Sequence, residues 1–97
     1  MLTVPRIMTP VMESNDPKER ALRVVSVLRD SAMDGYRLMS RTSLDEDSLV
    51  ATLLDLQSII GVKGELSRDK VGAAYLFVRP DARQMADMML ASRLYKG

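Results

Sequence analysis

The side chains best placed to do chemistry in this 97-residue chain are three consecutive acids, Asp45, Glu46 and Asp47. They could be mistaken for a metal site. On a helix, however, adjacent residues point in different directions, so the three cannot converge on one ion. A helix start explains them better, because carboxylates are favoured at the positive end of the helix dipole. The chain has no His and no Cys. That removes the commonest general base, the commonest metal ligand and any thiolate chemistry. Gly61 and Gly64 do not form a phosphate loop, since no Lys-Ser/Thr and helix follow them. No catalytic residue, metal ligand or cofactor is assigned, and an enzyme is not expected. The remaining chemistry is cationic: Arg20 and Arg23, Arg37 and Arg41, then Lys63, Arg68 and Lys70. A net charge of +1 is too small to argue for nucleic acid by itself.

The elements that must position these residues centre on Met33 to Gly61, which reads as two helices joined by a tight turn. Asp34 opens the first, and Gly35, Tyr36, Leu38 and Met39 give it an apolar face. Thr42-Ser43-Leu44 breaks the pattern, because hydroxyl side chains compete for backbone groups. The second helix is capped either by Asp45 or by Ser43, with Glu46 completing a capping box. Leu49, Leu53, Leu56 and Ile60 form one stripe of a period-3.6 helix. Upstream, Asp16 and Pro17 supply the N-cap and first position of a helix reaching about Asp30. Ala21, Leu22, Val24, Val25 and Leu28 would face the core, with Lys18, Glu19, Arg20, Arg23 and Arg29 toward solvent. After Gly61 the period becomes 2, giving strands at 62–66 and 74–78 around a polar hairpin loop. The last helix, 81–94, carries Ala82, Met85, Ala86, Met89 and Leu90 on one face, and Met88 widens it. Residues 1–15 read as an apolar N-terminal arm and residues 16–94 as one domain. No apolar run is long enough to span a membrane, and Pro5 and Pro10 interrupt an N-terminus that lacks the positive region of a signal peptide. With no Cys, the expectation is a cytoplasmic protein.

This order is α+β and mostly α: a three-helix core, a two-stranded β-hairpin wing and a C-terminal helix, the winged helix-turn-helix arrangement. From about Arg20 to Leu90 the chain resembles the PadR-like and MarR-like bacterial transcriptional regulators. The resemblance is carried by VVSVLRDSAMDGYRLM (24–39), with its Gly-Tyr near the start of the second helix. It extends to SLVATLLDLQ (48–57), similar to the family's recognition helix, and to AYLFVRPDAR (74–83). It implies a dimeric regulator that binds double-stranded DNA. Arg37, Arg41, Ser48, Lys63, Arg68 and Lys70 are the candidate DNA contacts.

The third helix suggests an alternative. Its outward face is Asp47, Ala51, Leu54, Asp55 and Ser58, with Val50 at the edge, and residues 45–60 contain no Lys or Arg. A carboxylate ~4 Å from a phosphate is repelled by about 1 kcal/mol in water and by more in a drier interface. Val50 and Leu54 instead suggest a ridge for protein contact, in a winged-helix assembly module that does not bind DNA. A homodimer is expected on either reading. Ile7 and Val11 of the arm and Met85, Met88 and Met89 of the last helix are its candidate contacts.

Overall fold

The computed structural model describes the backbone of residues 16–96 and the side chains of residues 16–92. The N-terminal arm, including Ile7 and Val11, lies outside the described residues. Each of the first three helices begins at an aspartate. Asp16 accepts a hydrogen bond from the Lys18 N–H at 3.0 Å and starts α1 (Pro17–Asp30). Asp34 accepts from Arg37 N–H at 2.8 Å and starts α2 (Gly35–Thr42). Asp45 accepts from Ser48 N–H at 2.8 Å and starts α3 (Glu46–Asp55). Asp45 is thus the cap of α3. Ser43 instead closes α2 in a left-handed conformation (φ 62°), with its N–H donating to the Met39 carbonyl at 2.8 Å.

The sheet is three-stranded and antiparallel, in the order β1-β3-β2, where a two-stranded hairpin was expected. The additional strand is β1 (Met33–Asp34), which pairs Met33 with Leu76 and Asp34 with Tyr75 of β3 (Tyr75–Val78). On its other side β3 takes β2 (Ile60–Lys63), from Ile60 opposite Val78 to Lys63 opposite Tyr75. β2 therefore starts two residues earlier than its period-2 pattern predicts, and α3 ends at Asp55 instead of running to Ile60. The Ile59 and Ile60 N–H groups both donate to the Leu56 carbonyl, closing a turn that buries two adjacent isoleucines. Such a β-branched pair suits the strand more than a further helical turn.

The β2–β3 connection is not a free polar loop. It contains a 3-10 turn, Val71–Ala73, in which Val71 is fully buried. The turn packs on the start of α2, where a Cβ on Gly35 would lie 1.9 Å from the Val71 carbonyl oxygen. Only glycine permits that approach. A second 3-10 turn, Pro80–Ala82, leads into α4 (Arg83–Lys96).

α1 is the central element and packs against α2, α3, α4 and β3. Val24 and Val25 of α1, Leu38 of α2, Leu49 and Leu53 of α3 and Leu76 of β3 meet in one core. Two threonines are buried with them and both are satisfied. Thr42 and Thr52 donate to the Leu38 and Ser48 carbonyls at 2.8 and 2.7 Å. The fold is mostly helical α+β, and no described helix is long and apolar enough to cross a membrane.

Candidate functional site

The outward face of α3 is built by the stripe that anchors its opposite side. With Leu49, Thr52 and Leu53 buried, the helix turns Glu46, Asp47, Ala51, Leu54 and Asp55 to solvent. Leu54 is 50% exposed on this face, next to Asp55 and about two turns beyond Asp47. Val50 does not join it: the side chain is half-buried and packs against the core, which corrects its assignment to an outer ridge. Ser48 is half-buried too, and its backbone N–H is engaged by the Asp45 cap. That hydrogen bond holds the Asp45 carboxyl below its ordinary pKa. Among the described residues no group of three acidic side chains is arranged to hold a metal.

The cations divide into those with partners and those without. Arg20 and Arg23, expected on the solvent side, are partly buried ties between helices. Arg20 Nε donates to the Thr52 hydroxyl at 3.3 Å, and Arg23 donates from its guanidinium to the Thr42 carbonyl at 2.8 Å. Arg68 of the β2–β3 connection lies 3.5 Å from Asp47, so this expected phosphate contact is paired with the acidic start of α3. The other four candidates are exposed: Arg37 and Arg41 on α2, Lys63 at the end of β2, and Lys70 before the 3-10 turn. None of these four side chains has a carboxylate partner among the described residues.

Two features had no sequence signal. Arg79 donates to the Gln57 carbonyl at 3.4 Å and pairs with Asp81 at 3.3 Å, tying the turn after α3 to the start of α4. It borders a shallow depression of about 540 Å³ beside Gly61 and Phe77, whose ring lies where a Cβ on residue 61 would be. Arg29 of α1 forms an ion pair with Asp87 of α4, and its hydrogen bond lowers the Asp87 pKa.

A mainly apolar opening lies between α1 and α4. It has a volume of about 370 Å³ and is bounded by Ala21 and Leu22 of α1 and by Met85, Met88 and Met89 of α4, with Lys18 and Ser92 as its polar lining. Met85, read on one face with Ala82 and Ala86 and also as a candidate partner contact, is 49% exposed, and Met88 is 63% exposed. The inward contacts of α4 are made by the buried Ala82 and Ala86, with Met89 and Leu90 partly covered. Tyr36 departs from expectation in the same way. It is 67% exposed, and its ring lies over Gly72.

Comparison with known proteins finds no matching family model, no matching curated sequence and no matching solved structure.

Proposed function

We propose that this chain is a winged-helix module whose third helix meets protein and not DNA. One observation carries the reading: the exposed side of α3 presents Glu46, Asp47 and Asp55, with no Lys or Arg on the helix itself, together with a half-exposed Leu54. In a major groove these carboxylates would face phosphates, and none of them is a usual reader of base edges other than cytosine. An exposed apolar side chain on an acidic helix face suits a partner surface with an apolar spot and basic neighbours. Arg68 already plays the basic role within the chain by pairing with Asp47.

A second reading, the DNA-binding regulator that the PadR-like and MarR-like resemblance implies, is favoured by the four exposed, unpaired cations Arg37, Arg41, Lys63 and Lys70. They would serve as phosphate contacts, which position a protein without reading sequence.

Titration of a mixed-sequence duplex pool at low and at physiological salt separates the two. The protein-contact reading expects weak binding that vanishes at physiological salt, with Arg37→Ala and Arg41→Ala weakening any low-salt binding equally for all sequences. A tight complex with a preferred sequence at physiological salt overturns it in favour of the regulator.

A further inference from the structure

We propose that the open edge of β2 is a docking site for an extended segment of a protein partner, which adds a fourth strand to the sheet. The inference stands whichever macromolecule α3 meets.

Two hydrogen bonds just beyond the strands fix which backbone groups point outward. The Arg79 N–H donates to the Ile59 carbonyl at 2.7 Å on the β2 side of β3, and the Gly35 N–H donates to the Ala74 carbonyl at 2.9 Å on the β1 side. Bonded and non-bonded pairs alternate along antiparallel strands. Both starting points give the same phase: Gly61 and Lys63 bond to Phe77 and Tyr75, while Leu76 turns its groups to Met33. The N–H and C=O of Val62 and the C=O of Ile60 therefore point away from β3. The Ile60 N–H is already used by the Leu56 carbonyl.

Among the described elements only β3 packs extensively along β2. The other edge of the sheet differs, because β1 has two residues and runs directly into α2. Free edges are ordinarily blunted by a Pro, a bulge or a covering element. Ile60–Val62 has no Pro and pairs in unbroken register. The depression of about 540 Å³ follows this edge, for its lining takes in Ile60, Gly61 and Val62 together with Phe77, whose ring lies across Gly61.

Hydrogen bonding and charge identify the occupant. Outward N–H and C=O groups beside a depression match an extended main chain, the mode by which peptides join sheet edges. In an antiparallel addition the partner residue opposite Val62 exchanges both bonds with it. The residue before that one lies opposite Lys63, which is exposed and has no carboxylate partner among the described residues, so an acid fits there. The residue after it lies opposite Gly61, where the Phe77 ring offers an apolar surface. The partner segment thus reads acid, apolar, apolar in chain order. A second β2 supplies no such acid, since pairing Val62 with its own copy leaves Lys63 opposite Gly61.

Titration of the intact chain with the capped peptide Ac-Thr-Glu-Val-Val-Thr-NH2, followed by two-dimensional amide spectra, tests this. Saturable shifts are expected at Ile60–Lys63, with slower hydrogen exchange at the Val62 N–H. Val62→Pro removes the outward donor and spares the β2–β3 ladder. It is expected to weaken binding about tenfold, the worth of one main-chain hydrogen bond. An N-methyl group on the first Val of the peptide, which lies opposite Val62, is expected to do the same while leaving the native chain untouched. Lys in place of the peptide's Glu is expected to weaken binding as well. Absence of saturable shifts at millimolar peptide overturns the proposal. Binding that is indifferent to N-methylation overturns it too, because the main chain is then not what is recognised. A Val62 N–H that exchanges slowly before any peptide is added also overturns it, by showing the edge already taken by the chain itself or by a second copy.

Discussion

α3 and α4 are both amphipathic, yet they distribute their large apolar residues in opposite ways. α3 buries Leu49 and Leu53 and shows Glu46, Asp47 and Asp55, with Leu54 the one large apolar side chain on its outer face. α4 buries Ala82 and Ala86 and shows Met85 and Met88. A helix that packs by alanines comes close to its neighbour but contributes little buried area, so its large side chains remain available elsewhere. Stability of the single domain therefore depends more on α3 than on the outward side chains of α4.

The largest effect should come from the α3 anchor. Leu53→Ala removes a side chain that is 1% exposed and should cost about 2–5 kcal/mol in urea unfolding. A cost near zero would mean that α3 is not held by its stripe. Next comes the support beneath α2. Gly35→Ala forces a Cβ into the Val71 backbone and should cost about 2–3 kcal/mol, since the obstacle is a carbonyl group and not a flexible side-chain tip.

Acid sharpens the contrast through two carboxylates, one at each helix. Hydrogen bonding from Ser48 depresses the Asp45 pKa, and hydrogen bonding from Arg29 depresses that of Asp87. A folded-state pKa below the unfolded value contributes stability that is present above the unfolded pKa and lost as pH falls through the folded one. The urea midpoint should thus hold between neutrality and about pH 5 and decline below about pH 4. Asp45→Asn, which keeps a capping oxygen without a titrating proton, should make that decline shallower. At the small end, Met88→Ala should change stability by less than about 0.5 kcal/mol in urea unfolding, since the side chain is exposed. A large loss would place Met88 in the core of its own domain.

The residues explain which parts of this picture could be read ahead of the structure. The caps at Asp16, Asp34 and Asp45 and the stripes of α1 and α3 are local, so side-chain type and spacing specify them. β1 could not be seen, because two residues carry no alternation and Met33–Asp34 is a strand only through its pairing with β3. The burial of Val71 within a polar stretch depends on Gly35 leaving room for the turn. Arg20 and Arg23 fit a solvent face by charge, but their acceptors are a threonine hydroxyl on α3 and a backbone carbonyl on α2, distant in sequence. Val50 shows the same limit. A helical wheel orders residues around an axis, but neighbouring elements decide how wide a sector they cover. The core reaches around α3 to Val50 and stops short of Met85 on α4.

A two-dimensional amide spectrum recorded with and without a duplex pool at physiological salt tests the acidic face of α3 most directly. The protein-contact role of α3 predicts no duplex-induced shift from Glu46 to Asp55. Duplex-induced shifts along α3 would contradict it.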